Sequence, residues 1–146
     1  MGCWSDRTTG VVTLPDGRRV RGRGLRREPV SAAEPPELGL YLAGRRPPSQ
    51  SWEAMWIGWP DFRLPRDPAV AVQALRRAHG EAATRRVEIA CAGGAGRTGT
   101  AIALLARLAG VPADEAVAWT RAHYRPGAVE TPGQRRFVAT VELATS

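Results

Sequence analysis

The run Cys91-Ala92-Gly93-Gly94-Ala95-Gly96-Arg97-Thr98-Gly99 follows directly on the apolar stretch Val87-Glu88-Ile89-Ala90. It leads into a helix-like segment, residues 98–108, whose apolar residues include Ile102, Leu104, Leu105 and Leu108. A strand, a glycine-rich turn and a helix in succession restrict the chain to α/β layouts in which a strand's carboxyl end meets a helix's amino end. Amides of such a turn and of the first helical residues converge on one bound anion. Ala92, Gly93, Gly94, Ala95 and Gly96 are the residues of this cradle, and glycine at 93, 94 and 96 permits φ > 0 and a close approach to an oxyanion. Arg97 adds a planar fork for two of the anion's oxygens. The same field stabilises a thiolate, so the loop reads as a phosphate cradle with a nucleophile inside it. Taken alone, Cys91 could be a small buried hydrophobe at a strand end. Five residues between Cys91 and Arg97, three of them glycine, argue against that inert reading.

This loop resembles the signature of the cysteine-dependent protein tyrosine phosphatases, Cys-x5-Arg followed by Ser or Thr. The resemblance implies that Cys91 attacks a phosphoryl group and forms a cysteinyl-phosphate, that Arg97 holds the phosphoryl oxygens, and that Thr98 helps the thiolate leave. One family residue differs: a histidine usually precedes the cysteine, and here the position is Ala90. Upstream, Trp59-Pro60-Asp61-Phe62 follows the strand-like Met55-Trp56-Ile57 and resembles the family's mobile acid loop. Asp61 stands thirty residues before Cys91 (91 − 61 = 30) and by resemblance protonates the leaving group. Downstream, residues 125–134 are similar to the segment that brings a glutamine over the phosphocysteine to position water, which implies that role for Gln134.

Each of these residues also has a plainer reading. Pro60-Asp61 is ordinary turn chemistry, Thr98 can satisfy backbone at a helix start, and Thr131-Pro132-Gly133-Gln134 is a capping box with proline at the first helical position. Glu130 would be repelled by a phosphate and reads as a solvated loop charge. His79 and His123 fall near helix ends and read as structural, with no partners at metal-ligand spacing. A thiolate, a guanidinium, an amide ring and one acid suffice for phosphoryl transfer, so neither metal nor any other cofactor is expected.

With 146 residues and 43% hydrophobic residues, the chain is expected to form one domain, residues 1–146, with a sizeable core. All 21 basic residues are arginine, giving a net charge of +7. The densest group, Arg18, Arg19, Arg21, Arg23, Arg26 and Arg27, reads as a solvated strand face or as an anion-attracting surface. No aromatics interleave with it as a single-strand nucleic-acid platform would require, and nucleic acid is not an expected partner. The expected partner is a phosphorylated protein or another phosphomonoester substrate. No apolar run approaches the ~20 residues of a membrane span, and residues 1–6 lack the features of a secretory signal. Only Cys3 and Cys91 occur, so no disulfide framework is implied, and a cytoplasmic protein is expected.

Residues 7–24 read as a hairpin around Pro15-Asp16-Gly17 at the sheet margin, 28–37 as a loop, and Leu38-Gly39-Leu40-Tyr41-Leu42 as a buried strand. Residues 44–52, with Pro47 and Pro48, read as a mobile connection. A helix capped by Asp67 and ended by Gly80 follows, then one that comes after Pro112 and carries Ala116, Val117 and Trp119 to about His123, and a last one from Pro132 to about Leu143. The expected architecture is α/β, a central largely parallel sheet flanked by helices, similar to the tyrosine-phosphatase fold. The similarity spans about residues 38–140 and points to the compact tyrosine or dual-specificity branch. A phosphate-binding module that recognises phosphoproteins without turnover is the rival reading, which Ala90 favours. A basic nucleic-acid-binding protein rests on charge alone.

Overall fold

The computed structural model describes residues 3–30 and 33–143. Its strands are β1 (Val11–Thr13), β2 (Arg19–Gly24), β3 (Leu38–Ala43), β4 (Glu53–Gly58) and β5 (Val87–Cys91). Its helices are α1 (Pro68–Glu81), α2 (Gly96–Leu108), α3 (Ala116–His123) and α4 (Pro132–Thr140). The sheet order is β1-β2-β5-β3-β4, with only the β1–β2 pair antiparallel. The last strand in sequence is therefore central, flanked by parallel neighbours. All five of its residues are buried, as a strand covered on both faces requires.

Alternation along the parallel strands sorts the two faces. Val20, Leu38, Leu40, Leu42, Val87, Ile89 and Cys91 join one core with Ala71 and Leu75 of α1 and Leu104 and Leu105 of α2. The alternate positions carry Arg21, Arg23, Tyr41 and Glu88, all buried. Register explains this second set: Arg21 lies opposite Glu88, and Arg23 donates to both Glu88 oxygens at 2.6 and 3.0 Å. Tyr41 donates to the same carboxylate at 2.9 Å. Burial opposes the charge on Arg23, but the Glu88 hydrogen bonds outweigh it and raise its pKa.

The arginine-rich segment thus departs from the expected solvated strand face. Of the hairpin's two strands, β1 alone lies at a sheet margin; β2 is internal, and its alternation sends Arg21 and Arg23 inward to a buried carboxylate, leaving Arg26 and Arg27 exposed beyond the strand end. Two helix ends differ as well. Asp67 caps α1 by accepting from the Ala69 and Val70 amides, but the helix runs past Gly80 to Glu81, because Gly80 keeps a negative φ and the Ala82 amide continues to the Ala78 carbonyl. Helix α4 stops at Thr140, where Val141 turns extended and Arg107 takes the carbonyls of Val138 and Val141. Among the described residues, no helix is long and apolar enough to cross a membrane.

Candidate active site

Strand β5 delivers Cys91 to the sheet's carboxyl edge, and α2 starts five positions later at Gly96. The intervening turn packs backbone to backbone against the end of β2. Leu25 and Arg26 donate their amides to the carbonyls of Cys91 and Ala92 at 2.9 and 3.0 Å. A side chain on Gly24 would meet the Gly93 carbonyl at 2.6 Å, and one on Gly94 would meet the Gly24 amide at the same distance. Of the three loop glycines expected to free the backbone, only Gly94 takes a positive φ, +75°. Gly96 is required for another reason, since a Cβ there would strike the Glu130 carboxylate.

Cys91 is 3% exposed, and its Sγ accepts a hydrogen bond from the Gly94 amide at 3.2 Å. Arg97 is buried, held by Nη1 on the carbonyls of Leu42 and Trp59 at 3.2 and 3.1 Å. Its Nη2 lies 3.5 Å from the Asp61 carboxylate, while its Nε has no partner. The Thr98 hydroxyl is likewise buried and unpartnered. Arg97, which lines the cleft with Cys91, thus keeps one buried donor unpaired, a costly arrangement unless an acceptor meets it.

The cleft measures about 260 Å³ and is lined by Cys91, Arg97, Asp61, Glu130, Arg26 and Phe62, among others. Asp61 stands at its rim with its side chain half exposed. Its turn is fixed from below: the Trp59 indole is fully buried, donates to the Arg63 carbonyl at 2.7 Å, and meets Phe137 of α4 edge-on. Phe62, at φ +62° and 62% exposed, projects outward from the same turn.

Gln134 is not among the residues that line the cleft. It is fully buried, its Oε1 accepts from the Glu130 and Thr131 amides, and its own amide N–H bonds Thr131 Oγ1 to complete the capping box. Its Nε2 donates to the Arg63 carbonyl at 3.2 Å, which ties the acid turn to the start of α4.

Three supports of the loop had no local sequence signal. Tyr124, just after α3, lays its ring against Gly22, where any Cβ would collide with it, and donates its hydroxyl to the Gly94 carbonyl at 2.5 Å. Burial pushes this phenol well above its ordinary range, so it remains a donor. Arg125 sits 4.8 Å over the Tyr124 ring, pairs with Glu28, and reaches the Gly93 carbonyl at 3.5 Å. Glu28 in turn accepts from the Gly24 amide at 3.2 Å. The Gly93 and Gly94 carbonyls are thereby engaged from the side of α3, while the Gly94 amide is given to Cys91 Sγ. The contacts of Tyr124 with Gly22 and of Arg125 with Glu28 join residues about a hundred positions apart, and only the folded register brings them together.

Elsewhere, His79 bonds the Asp16 carboxylate and His123 stacks on Trp119, both away from the cleft. No group of three or more His, Cys, Asp or Glu residues is placed to hold a metal among the described residues. Cys3 is exposed and free.

Comparison with known proteins follows the same lines. The family model described as protein-tyrosine phosphatase matches residues 39–144. Among solved structures, Tk-PTP in its active form is similar at 27% identity and a TM-score of 0.68, covering 86% of this chain and 91% of its own. Kinase associated phosphatase, with its catalytic-site cysteine changed to serine, shares the fold at 12% identity and a TM-score of 0.66, covering 91% and 94%. No curated protein sequence matches the chain.

Proposed function

Because the chain belongs to the protein-tyrosine phosphatase family, we propose that it hydrolyses phosphomonoesters, phosphotyrosine or phosphorylated proteins first among them, through a cysteinyl-phosphate. The observation that carries this reading is the convergence of Cys91, Asp61 and Arg97 on one cleft. The Cys91 thiolate attacks phosphorus, forming an S–P bond as the P–O ester bond breaks. Asp61 gives its proton to the departing oxygen. Water then attacks the phosphocysteine, Asp61 takes the water's proton, and the S–P bond breaks to regenerate the thiolate and release phosphate.

Each residue has a physical role in that sequence. Arg97 pairs with the phosphoryl oxygens, and its Nη1 bond to the Trp59 carbonyl couples the oxyanion site to the acid turn. The Thr98 hydroxyl donates to Cys91 Sγ as the thiolate leaves. The amides of Ala92, Gly93, Gly94, Ala95 and Gly96 ring the transferred group. Gln134 acts through Arg63 as a positioning residue for the acid turn, and direct contact with the attacking water requires release of that bond. A reducing compartment such as the cytoplasm suits the nucleophile.

Ala90 favours a second reading, in which the cleft binds phosphate without turnover. Turnover of p-nitrophenyl phosphate by the wild-type chain, with Cys91→Ser as control, separates the two. The phosphatase reading expects hydrolysis that the serine variant lacks. Phosphate binding with no hydrolysis by either protein supports the binding module.

A further inference from the structure

Glu28 lies in the turn after β2, ahead of residues 39–144 that the family model matches, and no step of the reaction above employs it. Its backbone is held twice: its amide returns to the Gly24 carbonyl at 2.9 Å, and its carbonyl accepts from Arg23 Nη1 at 3.2 Å. Arg23 is itself fixed by both oxygens of the buried Glu88. The Glu28 carboxylate therefore projects from a base anchored in the centre of the sheet. Its Oε1 meets two donors, the Gly24 amide and Arg125 Nη2. Gly24 is where β2 presses on the phosphate loop, and Arg125 reaches the same loop from the segment after α3. One carboxylate thus bridges the two flanks of the loop.

What the bridge controls follows from peptide planarity. Every peptide bond among the described residues is trans, so each carbonyl points opposite to the N–H of the next residue. Arg125 Nη1, 3.5 Å from the Gly93 carbonyl, acts on the peptide whose other end is the Gly94 N–H, the donor to Cys91 Sγ at 3.2 Å. The Tyr124 hydroxyl on the Gly94 carbonyl orients the Ala95 N–H in the same way. The Gly93–Gly94 peptide has glycine on both sides, so its own torsions restrain it little and its tilt depends on outside anchors. Arg125 also covers the Tyr124 ring at 4.8 Å, so both anchors depend on where its guanidinium is held. Among the described residues, Glu28 is the only carboxylate paired with that guanidinium.

We infer that Glu28 is a positioning residue for the nucleophile: through Arg125 it sets the tilt of the Gly93–Gly94 and Gly94–Ala95 peptides, and with them the amide hydrogen bond to Cys91 and the shape of the anion cradle. The inference rests on the phosphatase reading and adds to it a residue that no motif marks. Without the Glu28 charge, Arg125 loses its counter-ion and turns to solvent, and the Gly93–Gly94 peptide rotates away from Sγ.

The test measures kcat/KM on p-nitrophenyl phosphate, affinity for inorganic phosphate and melting temperature in the wild type, Glu28→Gln, Arg125→Ala and the double variant. Glutamine keeps an oxygen for the Gly24 amide and removes only the charge. Glu28→Gln is expected to lower kcat/KM by about tenfold through loop misplacement and to weaken phosphate binding. Its melting temperature should move by only a few degrees, because the pair with Arg125 is partly exposed. Arg125→Ala should lose at least as much activity, and adding Glu28→Gln to it should cost nothing further, since both changes break one chain of contacts. Losses that add in the double variant, or an unchanged kcat/KM and phosphate affinity per folded molecule in Glu28→Gln, overturn the inference. Failure of the wild type to hydrolyse the ester overturns the phosphatase reading alone, because the phosphate affinities of the four proteins still decide the role of Glu28. A wild type that binds no phosphate overturns both.

Discussion

At the scale of single residues, the account depends on Cys91, Arg97 and Asp61, whose roles separate by experiment. Arg97→Lys retains the charge but loses the fork and the Nη1 anchor to Leu42 and Trp59, so transition-state stabilisation should fall by roughly 2 kcal/mol or more. A kcat/KM within a factor of two of wild type would contradict it. Asp61→Asn should slow tyrosyl phosphate hydrolysis by on the order of 10²-fold while affecting a nitrophenyl ester less, because the better leaving group departs with little help. Equal, small losses for both would reduce Asp61 to a turn residue. That these three residues would line one cleft was legible in the sequence, because each sits in a short motif with fixed spacing. Glu130 reads in the sequence as a solvated loop charge, and it is exposed, yet it lines the cleft: its position depends on how the 125–130 segment docks against Gly99 of α2, which local sequence does not encode.

Among the elements, α4 and the segment after α3 govern the precision of the site. Gln134→Ala removes half of a capping box and the bond to Arg63, so stability should drop by about 1 kcal/mol. If Gln134 acts only as a cap, turnover per folded molecule stays unchanged; if it positions the acid turn, kcat falls for tyrosyl phosphate more than for the nitrophenyl ester. Tyr124→Phe keeps the ring over Gly22 but frees the Gly94 carbonyl, and should lower kcat/KM by about tenfold through loop misplacement. An unchanged kcat/KM would make the hydroxyl dispensable. Between β4 and α1, Arg77 and then Arg85 hold the Glu53 carboxyl below the usual carboxylate range. A depressed carboxylate stabilises the fold above its unfolded pKa, roughly 4.3, and that contribution is lost as pH falls further. Melting temperature should therefore decline on acidification below about pH 4, and Glu53→Gln should flatten that decline. Helix starts were readable here because Asp67-Pro68 and Thr131-Pro132 are local signals. The ends were not, since Arg107 and the continuation past Gly80 depend on tertiary partners.

For the whole molecule, the parallel sheet was readable from alternating strand and helix patterns, but the buried Arg21-Glu88-Arg23 cluster was not. Arginine on a strand reads as solvent-facing, and only the register of β2 against β5 reveals its carboxylate partner. Glu88→Ala leaves two buried guanidiniums without their counter-charge and should cost about 3–5 kcal/mol in urea unfolding; a loss near zero would mean that the cluster hydrates freely. The central claim, that this fold assembles a nucleophile at Cys91 within a phosphate cradle, is tested most directly by acid-quenching the protein during turnover of an aryl phosphate and measuring its intact and peptide masses. The account predicts one added phosphoryl group, located on Cys91 and absent from Cys91→Ser. Turnover with no such adduct, or an adduct on any other residue, would contradict it.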